Sequence, residues 1–120
     1  MIRVLLLADT HIGFDDPLRP RVERRRRGPD FLRNFRIALA GARRGGVDLV
    51  VHGGDLLFRS KVPPSLVQMA MEPLMEVAEL GIPVILVPGN HERSRIPYPL
   101  LAAHPMIHIF DRPRPVLLEI

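Results

Sequence analysis

Three short apolar runs lie along the chain, and each is followed at once by polar residues. They extend from Ile2 to Ala8, from Val47 to Val51 and from Pro83 to Val87. All are rich in Val, Leu and Ile, are near-continuous rather than alternating, and are bounded by Gly, Pro or Asp. This pattern is typical of strands buried on both faces, as in a parallel sheet.

Between these runs, two segments carry apolar residues at helical spacing. The first begins at Pro29, ends at Gly45-Gly46 and has this apolar face: Phe31, Phe35, Ala38, Leu39 and Ala42. The second runs from Pro64 to Leu80 and has this one: Leu66, Ala70, Leu74, Val77 and Ala78. Pro73 is expected to kink the second helix or to divide it. The β-α-β-α-β order predicts an α/β fold with parallel strands and right-handed crossovers.

Polar clusters follow the three runs: Asp9-Thr10-His11, Gly54-Asp55 and Gly89-Asn90-His91-Glu92. The carboxyl ends of parallel strands share one edge of a sheet, so we expect the clusters to converge there. Asp and Asn oxygens and His nitrogen suit manganese, iron, zinc or magnesium, and the absence of cysteine excludes thiolate zinc sites. A carboxylate such as Asp55 suits a bridge between two ions about 3.5 to 4 Å apart, an arrangement that promotes phosphoryl displacement. Each cluster alone also suits a turn or helix cap, but the three together favour a metal-dependent phosphoesterase.

The three clusters resemble the first three motifs of the calcineurin-like metallophosphoesterases, and the sequence around them is most similar to the SbcD-type DNA repair nucleases. The resemblance extends from Met1 to about Phe110. It implies a parallel sheet that forms the first half of a β-sandwich flanked by helices. It also implies a site with two divalent ions, manganese being expected first and iron, zinc or magnesium being alternatives.

The resemblance assigns a role to each site residue. Asp9 and His11 would bind the first ion, Asp55 would bridge both ions, and Asn90 would bind the second. His91 would face the scissile phosphate as a catalytic residue that stabilises charge or helps to protonate the leaving oxygen, as suits a group that titrates near neutral pH.

One part of the family pattern is missing from this chain. Members complete the site with three further histidines, in a Gly-His pair and a His-x-His, and neither motif occurs here. His52 is expected in the core or behind the ligands, and His104 and His108 at the surface or at strand ends. The final residues, 115–120, predict a strand that stops abruptly. We therefore interpret residues 1–120 as the amino-terminal portion of such a domain, whose uncovered apolar surface would favour self-association.

Arginines suggest the kind of substrate. The segment between the first cluster and the first helix is arginine-rich, and the candidate phosphate-binding residues are Arg21, Arg24, Arg25 and Arg93. Guanidinium groups bind phosphate bidentately, and a cationic rim attracts a polyanion. DNA is therefore an expected partner, although a solvated loop that pairs with acidic residues or with a partner subunit explains the arginines equally well.

The expected function is thus a phosphodiesterase or exonuclease of DNA repair, with an SbcC-like ATPase as the partner that the resemblance implies. The alternatives are a phosphatase or nucleotide hydrolase of the same superfamily, and a non-catalytic module that binds DNA or a partner. The apolar start is only a strand long, so it predicts neither a signal peptide nor a membrane span. The lack of cysteine is compatible with a cytoplasmic location.

Overall fold

The computed structural model describes residues 1–14, 28–58, 63–89 and 104–120. Its elements in chain order are β1 (Val4–Leu7), α1 (Gly28–Arg43), β2 (Leu49–His52), α2 (Pro64–Glu79), β3 (Val84–Leu86) and β4 (Ile107–Ile109). The strands form one parallel sheet in the order β1-β2-β3-β4. The predicted β-α-β-α-β alternation is confirmed, and β4 adds a strand that the sequence pattern did not predict.

The helices cover one face of the sheet. In the sheet register, Val50 pairs with Val84, and Val84 pairs with Ile107, so their side chains share a face. These residues belong to the same buried cluster as Phe35 of α1 and Leu74 of α2. The core therefore lies between this face of the sheet and the two helices.

Helix α1 begins and ends close to the predicted positions. Asp30 lies in its first turn and Arg43 in its last, where each charge complements the helix dipole. Gly45 follows with a φ of 80°, a left-handed conformation that glycine adopts at no steric cost. The predicted face is buried at Phe35, Leu39 and Ala42, whereas Ala38 is exposed, contrary to the prediction.

Helix α2 continues through Pro73 as one element, so of the two expected effects of this proline, a kink or a division, the division does not occur. Proline in a helix interior costs about 3 kcal/mol because it removes a hydrogen bond and crowds the preceding turn. The apolar residues on both sides of Pro73, among them Ala70 and Val77, are buried in the same core. Burial of both halves offsets the cost of the proline.

In the part of the chain that the structure describes, the face of β1 away from the helices is uncovered, contrary to the prediction that the strands are buried on both faces. Val4 is 51% exposed and Leu6 is 71% exposed. Leu6 is in register with Val51, which pairs with Ile85, and both of these side chains are only partly buried. Within the described residues, the sheet therefore presents an apolar surface on the side away from the helices.

The carboxyl-terminal residues differ from the expectation. Residues 115–120, predicted as a strand, pair with no other strand of the described residues. Strand β4 lies earlier and contains His108, which the sequence had suggested for the surface or a strand end. No helix in the described part of the chain has the length and apolar character needed to cross a membrane.

Candidate metal centre

The loops that follow β1 and β2 run side by side and continue the pairing of those strands. The Asp9 N–H donates to the Gly54 carbonyl (N to O, 2.9 Å), and the His11 N–H donates to the Asp55 carbonyl (3.0 Å). One residue further on, the Ile12 N–H donates to the Leu56 carbonyl (2.8 Å). These backbone bonds fix the relative positions of the first two polar clusters at the carboxyl edge of the sheet.

The candidate ligands themselves have an uncommon backbone conformation. Among the described residues other than glycine, positive φ values occur at Asp9 (55°), His11 (48°) and Asp55 (53°). Asp and His tolerate this left-handed region better than most residues, yet each such residue costs on the order of 1 kcal/mol. Such conformations persist where the surrounding structure determines them, and they concentrate at functional sites.

The side chains of these three residues form one cluster. His11 Nε2 lies 3.7 Å from Asp9 Oδ1 and 3.9 Å from Asp55 Oδ2, and the three donor atoms lie within 4.8 Å of one another. Separations of 3.7 and 3.9 Å are too long for hydrogen bonds. They are shorter than twice a metal–ligand distance of about 2.1 Å, so one ion can contact His11 together with either carboxylate.

The donor set and its exposure fit a divalent cation. Two carboxylates and an imidazole suit manganese, iron, zinc or magnesium. The side chains are 71% exposed at Asp9, 43% at His11 and 31% at Asp55. The cluster is therefore open on one side, where a substrate can approach.

Asp55 also faces the loop that follows β3. A Cβ atom on Gly89 would overlap the Asp55 carboxylate at Oδ1, so only glycine leaves room for this carboxylate. The other oxygen, Oδ2, is the one that faces His11. The two oxygens of Asp55 thus point towards two different loops of the same sheet edge.

Buried polar groups lie behind the cluster. His52, the last residue of β2, is fully buried, and its Nε2 lies 3.0 Å from Thr10 Oγ1. Burial lowers the pKa of His52 to about 4, and the negative charge of Asp9 opposes this shift. His52 is therefore neutral at neutral pH, and its expected place in the core or behind the ligands agrees with the structure.

Thr10 is the residue of this region that sequence reasoning missed. The sequence pattern assigned no role to Thr10, yet its hydroxyl donates to the Leu56 carbonyl (3.1 Å) and also bonds to His52. The one signal in the sequence was the position of the Thr10 hydroxyl between two candidate ligands, Asp9 and His11. Its partners are distant in sequence, so the sequence alone did not identify them.

The other predicted site residues lie outside the described residues. They are Asn90, His91, Arg21, Arg24, Arg25 and Arg93. Their roles stay predictions. Of the described histidines that were not expected to bind metal, His104 accepts a hydrogen bond at Nδ1 from the Met106 N–H (3.1 Å), and His108 lies in the middle of β4.

Comparison with known proteins identifies the family of this chain. The sequence model of the family described as calcineurin-like phosphoesterase matches residues 2–117. The chain therefore belongs to the calcineurin-like phosphoesterase family, and the predicted resemblance is confirmed.

Curated relatives include proteins named DNA double-strand break repair protein Mre11. The chain is 40% identical to the one from Haloferax volcanii over 97 residues, which is 79% of this chain and 20% of that relative. It is 33% identical to the one from Archaeoglobus fulgidus over 88 residues, or 73% of this chain and 19% of the relative. For Saccharolobus solfataricus the identity is 25% over 124 residues, covering 99% of this chain and 31% of the relative. The chain thus spans between about a fifth and a third of the length of these relatives.

Proposed function

We propose that this chain supplies part of the active site of a metal-dependent phosphodiesterase that acts on DNA in repair. The observation that carries the proposal is the cluster of Asp9, His11 and Asp55 at the carboxyl edge of the sheet. The names of the relatives, which refer to repair of DNA double-strand breaks, support DNA as the substrate. A cytoplasmic location and an SbcC-like ATPase partner belong to the same proposal.

The proposed site holds two divalent ions, with manganese first among the candidates. Asp9 and His11 would hold the first ion, Asn90 would hold the second, and Asp55 would contact both. The two directions of the Asp55 oxygens support the bridge, because Oδ2 faces His11 and Oδ1 lies against Gly89, the residue before Asn90. Bound ions would supply positive charge that activates water and stabilises the phosphoryl oxygens.

The remaining proposed roles belong to the chain's own side chains. His91 faces the scissile phosphate and stabilises charge or delivers a proton to the leaving oxygen. Arg21, Arg24, Arg25 and Arg93 contact backbone phosphates, to which arginine binds through two parallel hydrogen bonds. The openness of the cluster supports access by a polymer, since Asp9 and His11 keep large parts of their side chains exposed.

The proposal is tested by replacing Asp55 with Asn in the full-length protein. The substitution removes the negative charge that would hold both ions, so cleavage of linear duplex DNA with added Mn²⁺ should fall at least about 100-fold. Asp48→Asn is the matched control. Asp48 directly precedes β2 and bonds to Arg3, at the end of the strands away from the carboxyl edge. The Asp48→Asn variant should therefore cleave DNA at the parental rate.

Three results would count against the proposal. Parental DNA cleavage by Asp55→Asn would contradict the dinuclear site. Hydrolysis of p-nitrophenyl phosphate without cleavage of DNA or of bis-p-nitrophenyl phosphate would indicate a phosphatase instead. DNA binding with no hydrolysis of any of these substrates would indicate a non-catalytic module.

A further inference from the structure

A buried histidine–threonine pair connects the two loops that carry the candidate ligands. His52 Nε2 lies 3.0 Å from Thr10 Oγ1, and the Gly54 N–H donates to His52 Nδ1 (3.3 Å). Thr10 stands between Asp9 and His11, and Gly54 directly precedes Asp55. Thr10 is thus the chain neighbour of Asp9 and His11, and His52 contacts the chain neighbour of Asp55, so the pair is linked to all three candidate ligands through the backbone.

The hydrogen bonds determine where the protons lie. The Thr10 hydroxyl donates its single proton to the Leu56 carbonyl (3.1 Å), so its bond with His52 requires a proton on Nε2. Nδ1 accepts from the Gly54 N–H and therefore carries no proton. One tautomer, neutral with Nε2–H, satisfies every contact, whereas a proton on Nδ1 would face the Gly54 N–H.

Packing holds the imidazole in this orientation. His52 is 0% exposed, and its ring lies edge-on to that of Phe35 in α1, with 6.0 Å between the ring centroids. The ring is thus fixed by the helix behind it and by hydrogen bonds at both nitrogens. It provides a rigid support for Thr10, the residue at the centre of the first ligand cluster.

We propose that Thr10 and His52 are positioning residues for the metal centre, which rests on the proposed metal-dependent function. Their hydrogen bonds anchor the Thr10 side chain towards Leu56, so that Asp9 and His11, on either side of it, are presented at the open edge. The same imidazole fixes the peptide N–H of Gly54 and with it the start of the Asp55 loop. Both loops are held in the left-handed conformation that brings the three donor atoms together.

The test compares Thr10→Val, which keeps the shape of the side chain without the hydroxyl, with Thr10→Ser, which keeps the hydroxyl. In the full-length protein, calorimetric titration with Mn²⁺ should show affinity weakened about tenfold in Thr10→Val and changed by less than about twofold in Thr10→Ser. His52→Gln retains an N–H donor near the position of Nε2, so it should weaken Mn²⁺ binding less than His52→Leu does.

A variant in the core distinguishes a positioning role of Thr10 from a general contribution to stability. Val77→Ala makes a cavity at a fully buried residue of α2, a helix that carries none of the candidate ligands, and should lower stability while leaving the Mn²⁺ affinity of the folded protein unchanged. If Val77→Ala weakens Mn²⁺ binding as much as Thr10→Val, the positioning role is overturned. Parental affinity in Thr10→Val overturns it as well.

Asp55→Asn separates this inference from the proposed function. If Asp55→Asn loses Mn²⁺ binding and Thr10→Val keeps parental binding, only the positioning role is overturned. If Asp55→Asn binds Mn²⁺ with parental affinity, the proposed metal-dependent function is overturned. Should the Thr10 or His52 variants fail to fold, nitrogen NMR of the unaltered protein still tests the geometry: a protonated Nε2 and unprotonated Nδ1 in His52 support the inference, and the opposite tautomer overturns it.

Discussion

At the scale of single residues, the backbone conformation of Asp9, His11 and Asp55 distinguishes them from every other described residue except glycines. Parallel hydrogen bonds between the two loops hold this conformation and offset its cost. The identities and order of these residues were predictable, because Asp, His and Gly-Asp follow apolar runs in a recognisable pattern. Their left-handed conformation and the bonds of Thr10 with His52 were not, since both depend on how the loops meet in three dimensions.

Gly89 offers a test of the Asp55 environment. A side chain at this position would overlap the Asp55 carboxylate, so Gly89→Ala should displace it and weaken Mn²⁺ binding about tenfold or more. Gly53→Ala is the matched control, because a Cβ there meets its nearest neighbours, at Ala8 and Leu7, at an ordinary 3.6 Å. Mn²⁺ titration of both variants makes the comparison. Equal affinities would show that Asp55 does not need its present position.

His52 predicts how stability depends on pH. Its pKa is lowered by burial from 6.5 to about 4, so between these values the unfolded chain binds more protons than the folded chain. The free energy of unfolding is therefore highest above pH 6.5, where His52 is neutral in both states. It falls as the pH drops towards 4, by on the order of 3 kcal/mol in total. Urea unfolding between pH 7 and about 4, with a chelator present, should show this loss in the parent and a smaller loss in His52→Gln. The same pH dependence in both proteins would assign it to other groups.

At the scale of elements, apolar burial contributes more than ion pairing to the packing of the two helices. Glu76 of α2 lies 3.2 Å from Arg36 and 3.3 Å from Arg43, both in α1, but these side chains are about a third exposed. Exposed ion pairs contribute at most about 1 kcal/mol. Leu74, in contrast, is fully buried within the core.

Two substitutions in α2 compare these contributions. Leu74→Ala should lower the free energy of unfolding by about 2 to 5 kcal/mol, because it removes buried methyl groups and leaves a cavity. Glu76→Gln should lower it by less than about 1 kcal/mol, and the difference should shrink at high salt. Chemical denaturation of both variants measures the two effects. A larger loss for Glu76→Gln would mean that the ion pairs dominate the helix contact.

The elements show where sequence patterns succeed and where they fail. The helices and the first three strands were predicted because each has a run of periodic or continuous apolar residues of sufficient length. Strand β4 was missed because Ile107-His108-Ile109 is short and closely follows Pro105. The segment 115–120 was wrongly predicted as a strand, since apolar composition does not provide a neighbouring strand with which to pair.

At the scale of the molecule, the sheet is covered by helices on one side and exposes Val4 and Leu6 on the other. Large exposed apolar surfaces favour association with another surface. The predicted β-sandwich offers a second sheet as the natural cover for this face. We therefore expect the 120-residue chain on its own to self-associate more readily than a protein in which the face is covered.

Anomalous X-ray scattering from crystals of the full-length protein grown with Mn²⁺ would show directly where metal binds. We expect an anomalous peak in contact with Asp9, His11 and Asp55, and a second peak on the side of Asp55 that faces Gly89. Mn²⁺ peaks elsewhere in the molecule, with none within bonding distance of the Asp55 carboxylate, would contradict it.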